Sequence, residues 1–169
     1  MNAQTLPLGK RIIILGCPGS GKTTLALRLR EKTGLPLVHL DCIWWRADKT
    51  HISREEFDSR LNAVMRGEKW IIDGDFSRTY EPRFAACDTV IFLDYSEECC
   101  LKGIEQRLGV QRSDVPFTDA ALDLDLVEQV RAYRENGRVR VLELIKKHPN
   151  KTVLIFTSRE TASEWLDEL

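Results

Sequence analysis

Short apolar runs alternate with longer amphipathic stretches along this chain, and that alternation predicts an α/β protein with a parallel sheet. Five runs read as strands: residues 11–15, 37–39, 70–72, 89–93 and 152–156. They are rich in β-branched residues and almost continuously apolar, as strands covered on both faces have to be. Helices fill the intervals. Residues 22–33 form one that Gly34 ends. Residues 53–66 open on Ser53 and Glu56, spaced as a capping box, and stop at Gly67. Residues 97–108 follow Ser96 and carry Glu97 and Glu98 at the positive helix end. A helix capped by Thr118 runs towards Asn136 and Gly137, the next spans 139–148 before Pro149, and the last, 162–169, follows the capping-box pair Thr161 and Glu164. Residues 109–116 carry the weakest pattern and read as a mobile loop.

One junction between strand and helix holds candidate chemistry. Residues 16–24, GCPGSGKTT, place Gly16, Gly21, Lys22 and Thr23 in the GxxxxGK pattern closed by Ser or Thr. A loop around a phosphate needs backbone N–H groups pointing inward, and Gly16, Gly19 and Gly21 permit that course. Pro18, Ser20 and Thr24 complete the loop, and the helix that starts at Lys22 adds its positive end. Lys22 brings a point charge to the β- and γ-phosphates, and Thr23 offers a hydroxyl to Mg²⁺. The expected ligands are therefore ATP or GTP with magnesium. The guanine-specifying NKxD string is absent, since Thr152 and Val153 follow Asn150 and Lys151, so adenine is preferred by elimination.

A magnesium ion on such a loop also needs an acid at the end of a neighbouring strand. Asp73 ends WIID and Asp94 ends VIFLD. Asp73 is preferred because glycine and a polar turn follow it at once. Asp94 runs into a helix start and reads as a turn-closing residue. Arg131 and Arg134 lie three apart and share a helix face. Trp44 and Trp45 are adjacent, so the expectation is that they do not face the same way, one packing on the core and the other at most lining a pocket. His39, His51 and His148 show neither metal spacing nor a nucleophile partner and read as structural or solvent-facing.

Composition narrows the partners. The chain has 169 residues and a net charge of −1, so one domain over 1–169 is expected and no strongly basic face for nucleic acid is indicated. Five cysteines without a CxxC pair argue against a disulfide framework and a zinc knuckle. With no leader pattern and no apolar run of membrane-spanning length, the expectation is a cytoplasmic protein with no membrane partner, a monomer or homodimer.

The phosphate loop, HLDCIWW, WIIDGDFSRTYEPRF and DTVIFLDYS together resemble the adenylate-kinase-like P-loop proteins known as the DNA topology modulation (FlaR-related) family. The resemblance covers most of the chain. It implies a three-layer P-loop NTPase fold, with a five-stranded parallel sheet in the order 2-3-1-4-5 flanked by helices. The arrangement resembles that of nucleoside monophosphate and shikimate kinases, with the nucleotide at the carboxyl ends of the strands. It further implies that Asp41 holds an acceptor hydroxyl and that Arg78 or Arg83 grips the acceptor. Arg107 and Arg112, in a short lid at about 107–119, would close on the phosphates, and Arg134 would reach towards them. Asp75 stands where the family commonly has Asn, an extra carboxylate beside the acceptor pocket. The implied activity is transfer of the ATP γ-phosphoryl to a small-molecule acceptor. The alternative, carried by the family name and by the six basic residues between Arg131 and Lys147, is a nucleotide-dependent regulator linked to DNA topology.

Overall fold

The computed structural model describes residues 7–169; residues 1–6, on which part of the no-leader reading rests, lie outside the described residues. Strands β1 (Arg11–Gly16), β2 (Leu37–His39), β3 (Trp70–Asp73), β4 (Thr89–Leu93) and β5 (Thr152–Phe156) pair in parallel in the order β2-β3-β1-β4-β5. All five predicted runs are strands, and the implied order is the observed one. β1 sits between β3 and β4, with Ile14 beside Asp73 on one flank and Gly16 beside Leu93 on the other. Ile12, Ile13, Ile14 and Leu15 are fully buried, as are Val90, Ile91 and Phe92. A continuously apolar strand is stable only when helices cover both faces, and each such side chain contributes roughly 1.5–3 kcal/mol on burial.

The helices are α1 (Lys22–Thr33), α2 (Leu40–Trp44), α3 (Arg54–Met65), α4 (Tyr80–Ala86), α5 (Glu97–Glu105), α6 (Leu124–Tyr133), α7 (Gly137–Lys147) and α8 (Arg159–Asp167). Gly34 closes α1 with its N–H on the Arg30 carbonyl at 2.8 Å. The Ser53 hydroxyl accepts from the Glu56 N–H at 3.1 Å, and Ser96 accepts from Cys99 at 3.2 Å. These three local signals act as the sequence suggests. Arg28 on α1 ties α8 by donating to Ser163 Oγ and Asp167 Oδ1.

Several boundaries differ. Asp123, not Thr118, caps α6, its carboxylate accepting from the Asp125 N–H at 2.9 Å. Gly137 opens α7 instead of ending its predecessor, and a Cβ there would stand 2.5 Å from the Tyr133 ring. Ser158, three residues before Thr161, caps α8. Two short helices go beyond the elements read from the sequence. α2 is a five-residue turn inside HLDCIWW, and α4 carries Pro82 in its first turn, where no helical partner awaits the missing N–H. Among the described residues no helix is long and apolar enough to cross a membrane.

Candidate active site

The sheet order places a crevice at the carboxyl ends of β1 and β3, where successive connections leave in opposite directions. The phosphate loop fills one side of it. Gly19 packs so closely on α5 that a Cβ would lie 2.0 Å from the Cys100 carbonyl oxygen, and with its φ of 82° only glycine fits. Lys22 is buried and folds back, donating from Nζ to the Gly16 and Cys17 carbonyls at 2.8 and 3.0 Å. That ammonium is held inside the phosphate loop, where a phosphate chain would lie.

Thr23 stands at the start of α1 facing Asp73. Its Oγ1 lies 3.1 Å from Asp73 Oδ2 and 3.1 Å from Asp114 Oδ2. A hydroxyl has one proton and can donate to only one carboxylate at a time. Asp73 is 3% exposed and Asp114 4%, and the second oxygen of each is buried without a hydrogen-bond partner. Two buried carboxylates compete for one hydroxyl proton, and Arg112 approaches Asp114 Oδ1 at 3.6 Å without hydrogen-bonding it, so oxygen acceptors outnumber the donors they meet. The residues present therefore fit a hard divalent cation, which takes carboxylate and hydroxyl oxygens. The His39 ring adds one partner, with Nδ1 2.8 Å from Asp73 Oδ2, and fixes the orientation of that carboxylate. Asp94 is committed elsewhere: Arg138 donates to both its oxygens, at 2.7 and 2.9 Å.

Beyond this centre a cleft of about 590 Å³ opens, and Lys22, Thr23, Asp41, Asp73, Arg107 and Arg112 all reach it. Asp41, on the first turn of α2, has its carboxyl pushed up to about 6 by burial first, and then by the charges of Asp114 and Asp73. Arg107 is drawn down by burial and by the neighbouring Arg112. Arg112 lies 3.6 Å from Asp114 and 3.7 Å from Asp119. Asp75 also lines the cleft, with the Tyr80 hydroxyl bonded to its Oδ1.

Three sequence-selected arginines are not brought to the cleft. Arg83 is 0% exposed and turns its guanidinium onto its own loop, donating to Gly74 O at 2.8 Å, to Phe76 O at 3.3 Å, to Asp75 O, and to Thr79 Oγ1 at 3.0 Å. Burial lowers its pKa to about 10, so it stays charged at neutral pH. Arg78 points outward in a two-pronged pair with Asp58 at 2.9 and 2.7 Å. Arg134 lies in a separate depression with Cys17, Asp94 and Tyr133. In the basic run, Arg131 pairs with Glu128, Arg138 with Asp94 and Lys147 with Glu81, which offsets three of its six charges.

Three residues of the site escape a reading of the sequence. Asp114 falls in the stretch that reads as a mobile loop, and no local signal marks it. His39 reads as structural, although its position at the end of β2, in register with Asp73, is a signal that could raise it. Arg159 follows β5 and donates from Nη2 to the Gly19 carbonyl at 2.9 Å, bracing the phosphate loop from the far side.

No family model matches the chain, and no curated protein matches it in sequence, so the resemblance to the DNA topology modulation family gains no support from either. Among solved structures, the chain is similar to a shikimate kinase from Acinetobacter baumannii in complex with shikimate. The TM-score is 0.61 at 18% identity, over 95% of this chain and 90% of that one. It is also similar to a shikimate kinase from Bacteroides thetaiotaomicron, with a TM-score of 0.58 at 18% identity, over 94% and 95% of the two chains. At that identity the likeness establishes architecture: the chain has the P-loop, nucleoside-monophosphate-kinase-like fold of these shikimate kinases, with the sheet order 2-3-1-4-5.

Proposed function

We propose that this chain is an ATP-dependent phosphotransferase that phosphorylates a hydroxyl group of a small molecule. The carrying observation is Asp41, a carboxylate without a hydrogen-bonding side-chain partner among the described residues, sharing one cleft with Lys22, Thr23 and Asp73. A nucleotide-binding site alone has no use for it, whereas phosphoryl transfer needs a group that orients the attacking oxygen. The structural likeness to two shikimate kinases supports the same reading.

The loop amides and Lys22 hold the phosphates of ATP, and Thr23 with Asp73 would hold magnesium. When bound, the ion offsets charge on the β- and γ-phosphate oxygens. The acceptor oxygen forms a bond to the γ-phosphorus as the bond to the β,γ-bridging oxygen breaks. ADP departs, and the hydroxyl proton passes to Asp41. A carboxylate whose pKa stands at about 6 is a better proton acceptor than an ordinary one and is still ionised at neutral pH. Arg107 and Arg112 stabilise charge on the transferring group and exclude water.

The residues do not favour shikimate itself as the acceptor. Shikimate is a carboxylate and needs a cation to hold it, but Arg83 is engaged by backbone carbonyls and Arg78 by Asp58.

The test is ADP release from Mg·ATP with pooled hydroxylated acceptors, with Lys22→Ala as control. Acceptor-stimulated release that falls about 100-fold or more in the control supports a kinase. Slow release indifferent to every acceptor would refute it.

A further inference from the structure

We infer that the acceptor is a hydroxylated amine, cationic at neutral pH, held with its ammonium group between the aromatic wall of the cleft and Asp75. This rests on the cleft being the acceptor site of the proposed kinase, and it narrows the acceptor to one charge class.

The cations among the described residues that line the cleft are Lys22, Arg107 and Arg112. Lys22 and Arg107 belong to its phosphate end, and Arg112 is shared between Asp114 and Asp119, the carboxylate that also meets Lys49. Lys22 is inside the phosphate loop. Arg112 sits 3.6 Å from Asp114, which in turn contacts Thr23. Arg107 feels the charges of Arg112, Asp114 and Asp41. At the opposite end, Arg83 and Arg78 are engaged within the protein. Lys49 lies 5.1 Å over the Phe117 ring and 3.8 Å from Asp119, so it too is engaged.

What remains at that end is carboxylate and aromatic. Asp75 follows β3 directly, and among the described residues the Tyr80 hydroxyl is its one side-chain hydrogen-bond partner. Asp123 and Asp125 stand exposed at the mouth, where α6 begins. Trp44, Trp45, Phe76 and Phe117 form a connected wall. The Trp44 ring lies edge-on to Trp45 at 6.4 Å and to Phe76 at 6.0 Å, and Trp45 meets Phe117 at 5.9 Å. Aromatic faces and carboxylates attract an ammonium group through the same sign of potential. A phosphorylated or carboxylated acceptor would meet carboxylates there and no free guanidinium, since Arg83, which offsets part of the Asp75 charge, already donates to backbone carbonyls. Asp41, which lines the same cleft, would then face the acceptor's hydroxyl.

Isothermal titration of the full chain, loaded with magnesium and a non-hydrolysable ATP analogue, separates the possibilities. The probes are ethanolamine, serinol, tyramine and kanamycin, set against the anions glycolate, glycerate and AMP. At least one amine is expected to bind, more weakly as salt rises, and about tenfold or more weakly in Asp75→Asn. Trp45→Leu, which changes no charge, should weaken the same amine, with circular dichroism confirming that both variants fold. An anion that binds more tightly than every amine overturns the inference, as does no binding by any amine, or undiminished amine affinity in both variants. ADP release is read in parallel. Transfer to an anionic acceptor would keep the kinase and sink this inference. Amine binding without transfer would keep the charge class of the cleft and sink the kinase.

Discussion

Replacing Asp41 by Asn is expected to make the protein more stable while abolishing acceptor-dependent turnover. In the folded chain the Asp41 carboxyl is raised from an ordinary 3.8 to about 6, mainly by burial and then by Asp114 and Asp73. A raised carboxyl pKa means that folding favours the protonated form. The stabilisation is complete below the unfolded value and disappears as pH rises through about 6. Linkage over that interval puts the cost of an ionised Asp41 at about 3 kcal/mol at about pH 7.5, and at about 1 kcal/mol at about pH 4.5. The side chain keeps a partly exposed edge that solvent screens, so about half to all of this is expected to be measurable. The asparagine side chain of the variant never ionises. Its advantage over wild type should therefore grow by roughly 1–2 kcal/mol between the two pH values, or a few degrees in Tm for a domain of this size. Urea unfolding at both pH values, without nucleotide and with EDTA, reads the difference. An equal advantage at both pH values, or none near neutrality, would refute the electrostatic reasoning. Gain of stability with loss of turnover is the pattern of a group kept for function against the interests of the fold.

Four further outcomes follow from the geometry. Arg83→Ala removes the side-chain donor to the buried Gly74 carbonyl, to the Asp75 carbonyl and to the Thr79 hydroxyl and should cost about 3 kcal/mol or more in urea unfolding, the signature of a structural group. Asp94→Asn weakens the fork with Arg138 and should lower stability by about 1–2 kcal/mol while leaving Mg·ATP affinity within about twofold by titration. His39→Ala removes the ring that orients Asp73 and should weaken Mn²⁺ binding, followed by electron paramagnetic resonance with ADP present, by about tenfold. Thr23→Val removes the hydroxyl between the two carboxylates. It should abolish magnesium dependence of ATP binding, and an unchanged magnesium requirement would count against the site as drawn.

The sequence alone determined the strands, the phosphate loop and the caps at Ser53, Ser96 and Gly34, because each depends on neighbours within a few residues. Apolar runs of β-branched residues have few other places to go, and the GxxxxGK spacing fixes a turn before the helix can begin. Boundaries differ where packing decided them: Gly137 opens α7 against the Tyr133 ring, which allows no side chain there. Only the tertiary structure decided which charges are free. Arg78 and Arg83 follow the DGD turn in sequence as substrate-gripping arginines would, yet one meets Asp58, twenty residues away, and the other turns inward on its own loop. Asp114 became visible as a site residue only when folding brought it to Thr23, 91 positions away along the chain. Charge pairing is set by distance in space, and the chain's local pattern carries no record of partners that far apart.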